Sequence, residues 1–213
     1  MSVIFKKLSC LLAACLLLFF CGCERKQGSY RYTYLDVFDT VTAITVFAPS
    51  QEEADELAAL LHGELLTCHR LFDIYHEYDA LVNLCTVNRL AGQEAVTVDG
   101  RILDLLVFAQ EMGEASGGKL NVCMGSLLSL WHEARTAANE HPELAALPER
   151  DAVREAMKHM SPSALQLDET ASTVRFLDPE MQLDVGAVAK GWAVQRACEL
   201  AKGKGDGGVF FSA

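Results

Sequence analysis

The sequence predicts an α+β domain in which helices pack on a mostly antiparallel sheet. Three observations carry that expectation. Residues 30–48 alternate and are rich in Tyr, Val, Ile and Thr. A long run with helical spacing follows at once. Farther on, two short apolar runs near 165–167 and 173–177 flank a polar turn at Asp168 and Glu169. Alternation over short runs bounded by turn residues marks half-buried strands. Helices intermixed with such strands, without a regular strand-helix repeat, suggest α+β.

Residues 30–48 read as one long strand or two strands. Pro49 and Ser50 then start a helix, with Ser50 as N-cap and Glu53 in the capping-box position. It runs to about Phe72, with Leu57, Leu60, Leu61, Leu65 and Cys68 on one face. Residues 73–99 are loop-like. Asp99 caps a second helix over 101–115, which Ser116-Gly117-Gly118 ends. A third helix is expected over 124–138, a polar excursion with Pro142 and Pro148 over 139–148, and a fourth helix over 148–160. After the two short strands, 182–185 reads as another strand and 187–202 as a fifth helix. Residues 202–208 form a loop, and 209–211 start a last strand that would present an unpaired apolar edge.

The first 22 residues have a different character. Lys6 and Lys7 precede a nearly unbroken apolar run over 8–20. That run is shorter than the ~20 residues a spanning helix needs and matches a secretory signal. Phe20-Cys21-Gly22-Cys23 resembles a bacterial lipobox, in which a small residue precedes the cysteine that is lipidated. The expected organisation is a signal over 1–22, lipidated Cys23 with a polar linker over 23–30, and one domain over 31–213. The expected location is the extracytoplasmic face of the cell membrane, held by lipid.

The formal charge is −11, and −13 once Lys6 and Lys7 leave with the signal. Such a domain repels phosphate backbones, so no nucleic-acid partner is expected. It also gains little pull from anionic lipid, so the tether is the lipid itself. Four cysteines remain in the domain: Cys68, Cys85, Cys123 and Cys198. None shows zinc-ligand spacing. They form disulfides or stay as buried thiols.

Two segments have the makings of a ligand site. In Asp184-Val185-Gly186-Ala187-Val188-Ala189-Lys190-Gly191, a strand ends at an acid, glycine turns the chain, and a helix starts. A helix start offers unpaired N–H groups and a positive dipole end, both suited to phosphate. Lys190 adds a mobile positive charge, though a plain helix cap with a solvated lysine fits the same residues. In residues 116–125, three glycines flank an extended hexapeptide, as a ligand loop or as a simple connector. Phe38-Asp39-Thr40 and Phe72-Asp73-Ile74-Tyr75 add aromatic side chains beside acids.

Together these segments resemble the ApbE family of FAD:protein FMN transferases. The matching stretches are FDTVTAITVF (38–47), LFDIYHEYDALVNLCTVNRLAG (71–92), SGGKLNVCMGSLLSLWHEAR (116–135) and LDVGAVAKGWAV (183–194), in family order. The resemblance implies an ApbE-like fold and a transferase that binds FAD and magnesium. It would move FMN onto a Thr or Ser hydroxyl of a partner flavoprotein, an exported or membrane electron-transfer subunit, and release AMP. It implies flavin or FAD contacts at Phe38, Tyr75, Lys119, Leu120, Asn121, Asp184 and Lys190. Asp184 and Lys190 are the catalytic candidates, and the Ala187 carbonyl a magnesium ligand.

Asn121 stands where the family usually has Asp, and Cys123 where it usually has Thr. The family's later segment, with an Asp and a Thr for magnesium and a His-Ile-x-x-Pro stretch, has no counterpart before Ala213. The expectation is a C-terminally truncated transferase. The alternative is an inactive flavin-binding lipoprotein; a solute-binding lipoprotein fits the motif order less well.

Overall fold

The computed structural model describes residues 27–204 and 208–212. In chain order the elements are β1 (Gly28–Val37), β2 (Thr40–Ala48), α1 (Gln51–Phe72), α2 (Leu84–Arg89), β3 (Val96–Thr97), α3 (Gly100–Ala115), α4 (Gly125–Glu140), α5 (Arg150–Ala156), β4 (Leu165–Asp168), β5 (Thr173–Phe176), α6 (Ala189–Lys202) and β6 (Val209–Ser212). Short 3-10 turns lie at Val122–Met124, Pro142–Leu144, Met157–His159 and Pro162–Ala164.

The first sheet has the order β1-β2-β6 and the second β3-β5-β4, both antiparallel. In the hairpin, Tyr34 pairs with Thr42 and Val37 with Thr40, with an irregularity between. Phe38 and Asp39 make the two-residue turn, both left-handed, at φ 56° and 51°. Paired left-handed residues match the right-handed twist of the strands, but a bulky residue such as Phe adopts this conformation at a cost.

Ser50 caps α1 by accepting from the Glu53 N–H. The buried face of α1 carries Ala54, Ala58, Leu61, Leu65, Cys68, Leu71 and Phe72, and rests on the first sheet. Against it lies α6, whose buried residues are Ala189, Ala193, Ala197 and Ala201. Alanine every fourth residue leaves a shallow ridge, so the two helices approach closely. Glu64 of α1 ties three helices together. Its carboxylate accepts from Arg101 of α3 at 2.9 and 3.2 Å, and from Nε of Arg196 of α6. Arg196 also lies over the Trp192 ring, which meets Phe72 edge-on at 5.5 Å.

Several expectations are corrected. Residues 73–99 are not all loop: α2 and β3 lie there. Residues 182–185 form no strand. They alternate in burial, as a strand would, but they pair with side chains and turns. Asn88 donates to the Leu183 carbonyl and accepts from its N–H, at 3.0 and 2.8 Å. Asp184 N–H donates to Val122 O, and Gly125 N–H to Gln182 O. The last helix starts at Ala189, after a turn over 186–188, rather than at 187. The fourth helix is shorter than 148–160, because its last turn tightens to 3-10 geometry. β6 is paired on one side, by β2. β1 starts at Gly28, so 28–30 belong to the sheet and not to a linker.

Among the described residues, no helix is long and apolar enough to cross a membrane. The signal, Cys23 and its lipid lie outside them. The four domain cysteines are free thiols. Burial pushes Cys68 up to about 12 and Cys123 up to about 11, which keeps both thiols protonated and unreactive.

Candidate functional site

Three chain segments meet at an open cleft. The hairpin turn brings Phe38 and Asp39. The end of α1 and the following turn bring His69, Phe72, Asp73, Ile74 and Tyr75. The segment before α6 and its first turn bring Asp184, Val185, Gly186, Ala189 and Lys190.

Each segment is held by its own hydrogen bonds. The Phe38 N–H donates to Nδ1 of His69 at 3.1 Å, and the two rings meet edge-on at 5.7 Å. That bond secures the left-handed residue from across the cleft wall. Asp73 is the hub of the second segment, with a side chain only 6% exposed. Its carboxylate accepts from the N–H groups of Tyr75 and His76 and from the Tyr78 hydroxyl, at 2.7, 3.1 and 2.9 Å. Burial pushes its pKa up, but these donors outweigh burial and hold it below the usual carboxylate range. Fully buried Asn83 braces the turn from behind, donating to the carbonyls of Arg70 and His76 and accepting from Thr86 N–H.

In the third segment, Asp184 Oδ1 accepts from the Gly186 N–H at 2.8 Å. The N–H groups of Val188 and Ala189 close onto Val185 O. Val188, the N-cap of α6, offers no side-chain cap, and the first turn has no acid. Exposed Lys190 sits in that turn instead. A cation beside the positive end of a helix is unfavourable unless an anion joins them. Aromatic faces at Phe38 and Tyr75, with this cationic helix start, suit a ligand that combines a planar ring with a phosphate.

Residues 38–213 match the model of the ApbE family. The chain belongs to the ApbE family. An FAD:protein FMN transferase from Treponema pallidum (strain Nichols) is 28% identical over 192 residues, 84% of this chain and 48% of its own length. One from Klebsiella pneumoniae (strain 342) is 28% identical over 142 residues, 63% of this chain and 42% of its own. The ApbE protein of Thermotoga maritima shares the fold with a TM-score of 0.73 at 23% identity, over 87% of this chain and 57% of that one. The flavin transferase ApbE from Vibrio cholerae gives 0.67 at 18%, over 85% and 57%. The chain thus spans about half the length of the curated relatives it matches.

Of the ApbE-type site residues expected from the sequence, Phe38, Tyr75, Asp184 and Lys190 line one cleft. Lys119, Leu120 and Asn121 lie outside its lining. Lys119 is exposed and Leu120 packs on the core. Asn121 caps the 3-10 turn, accepting from Cys123 N–H and donating to Met160 O. Ala187 is exposed in the turn before α6.

Magnesium prefers about six oxygens. Among the described residues, no group of three or more His, Cys, Asp or Glu side chains is arranged to hold a metal. The Ala187 carbonyl and the nearby Asp184 carboxylate do not make a magnesium site by themselves.

Sequence reasoning missed His69 and a pair from α4. His132 stacks on Tyr75 with centroids 4.8 Å apart, and Arg135 Nη2 lies 2.9 Å from His132 Nδ1. All lie inside or beside the motif stretches, but the contacts that bring His69 to Phe38 and His132 to Tyr75 span tens of residues and leave no local pattern.

Proposed function

We propose that the cleft binds FAD and that the protein acts as an FAD:protein FMN transferase. The observation that carries the reading is the meeting of Phe38, Tyr75, Asp184 and Lys190 around an uncapped helix start. Aromatic faces would take the flavin ring, and the Lys190 side chain with the N–H groups of Lys190 and Gly191 the phosphates.

In the proposed reaction, a Thr or Ser hydroxyl of a partner flavoprotein attacks the phosphorus of the FMN half. The bond between the two phosphates breaks, and AMP leaves with the bond electrons. Such transfers depend on positioning and on neutralising charge. Lys190 would hold the phosphates, and Asp184 would receive the hydroxyl proton. The similarity to FAD:protein FMN transferases, matched over about half of their length, supports this reading. We infer that the reaction depends on magnesium, with the Ala187 carbonyl as one ligand.

The test uses the full chain in detergent micelles with FAD, magnesium and a threonine-bearing acceptor. Covalent flavin on the acceptor and stoichiometric AMP are expected, both lost in Asp184→Ala and Lys190→Ala. FAD binding without transfer would instead support a flavin-binding lipoprotein. Absence of FAD binding would overturn both.

We also propose that Cys23 carries lipid and tethers the domain to the extracytoplasmic face of the membrane. Sharing a surface with exported or membrane-bound acceptors raises effective concentration. Cys23→Ser should abolish labelled-palmitate incorporation and move the protein to the soluble fraction.

A further inference from the structure

Tyr75 is 55% exposed, yet it is tied at two points. Its N–H donates to Asp73, and its ring stacks on His132 of α4 with an interplanar angle of 26°. His132 is itself held by Arg135, 2.9 Å from its Nδ1. A guanidinium has donors and no acceptor, so in this contact it donates and Nδ1 accepts. α4 is not free to drift. At its start the Gly125 N–H donates to Gln182 O, and the Ser126 hydroxyl donates to Glu180 O. A Cβ on Gly125 would lie 2.7 Å from the Gln182 backbone, so the helix start is pressed against the strap that carries Asp184. His132 follows two helical turns later.

We propose that His132 and Arg135 are positioning residues for the flavin platform: Arg135 holds the His132 ring in place, and His132 backs one face of Tyr75 so that the other face is presented to the flavin ring of FAD. This rests on the reading that the cleft holds FAD. An exposed tyrosine alone samples several rotamers, and ordering it on binding costs affinity. A stacked partner supplies that order in advance. Burial and then Asp184 raise the pKa of the Tyr75 phenol, and the charge of Arg135 works against them.

Fluorescence titration of the full chain in micelles with FAD, FMN and AMP separates the possibilities. His132→Ala should weaken FAD and FMN by roughly three- to tenfold, the range for losing one aromatic contact. AMP, which has no flavin ring, should bind His132→Ala as it binds the wild type. His132→Phe, which keeps the stack, should stay within about twofold of wild type for all three ligands. Arg135→Met should weaken the flavins by about twofold or more, because His132 loses its lock. A general structural loss would weaken AMP equally and would overturn the proposal. So would flavin affinities unchanged in His132→Ala while the wild type binds FAD. If the wild type binds no FAD at all, the transferase reading falls and takes this inference with it.

Discussion

Lys190 combines two demands that conflict in the free protein. Its ammonium sits in the first turn of α6, where the backbone already presents positive partial charge, and neither a capping side chain nor an acid offsets it. Repulsion of this kind costs about 0.3–1 kcal/mol at an exposed helix end. A bound phosphate reverses the sign, because lysine and helix start then attract the same anion. Lys190→Ala should therefore leave the unliganded protein as stable as wild type or slightly more so, while FAD affinity falls about tenfold or more. Thermal melts with and without FAD measure both effects, and a fall in unliganded stability would show that Lys190 serves the fold. Phe38 follows the same logic in its backbone. Its left-handed conformation is held by the His69 bond, and an observed outlier of this kind beside a cleft points to a positioned side chain.

At the scale of elements, the strap over 178–188 decides where Asp184 stands, and it is fixed from two sides. On one side α4 begins at Gly125. A methyl there would strike Gln182 backbone atoms, which cannot swing away as a flexible side chain can. Gly125→Ala should cost about 1–3 kcal/mol in urea denaturation and weaken FAD as the strap shifts. On the other side His159, in the 3-10 turn after α5, lies 2.9 Å from Asp178 Oδ2. The bond to Asp178 raises the His159 pKa. Burial pushes Asp178 up, but its bonds from Glu180 N–H and His159 prevail and hold it down. The signs are opposite. The His159 contribution is complete below the ordinary histidine pKa and lost as pH rises through its raised value. The Asp178 contribution is complete above the ordinary carboxylate pKa and lost as pH falls through its lowered value. Both are full between about pH 4.5 and 6. The urea midpoint should drop on going from about pH 6 to about pH 8.5, and His159→Gln should flatten that drop. Legibility in the sequence follows the same division between local and distant causes. The Ser50 and Glu53 cap of α1 is local, and it was readable. α2 is only six residues long, and its cap Asn83 is stabilised by carbonyls at Arg70 and His76, so nothing nearby announces it. Residues 182–185 alternate as a strand does, but their partner is the Asn88 side chain, 95 residues away. Phe38, Tyr75, Asp184 and Lys190 stood out as residue types at turns and helix starts. His69, His132 and Arg135 matter only through the fold, and no spacing marks them.

The whole molecule sets the cleft against its own surroundings. The chain carries 29 acids against 18 Lys and Arg, a formal charge of −11. FAD, the ligand proposed for the cleft, is an anion, so its approach would be opposed at long range and favoured near Lys190 and the start of α6. These two fields have different reach. The Debye length is about 30 Å in 10 mM salt and about 8 Å at 150 mM. Repulsion by the whole acidic surface acts over tens of ångströms, so salt removes it first. The attraction inside the cleft acts over a few ångströms and is screened much less. The association rate constant for FAD should therefore rise with salt, by about twofold or more between these two concentrations, whereas for an electrostatically steered ligand it would fall. Stopped-flow flavin fluorescence on the full chain in micelles gives the rate directly. Lys190→Ala should keep the rise in association rate and lose affinity through faster dissociation, because the substitution alters the short-range field and leaves the long-range one nearly untouched. A rate that falls with salt in the wild type would mean that Lys190 and the start of α6 project beyond the acidic surface and steer FAD from a distance.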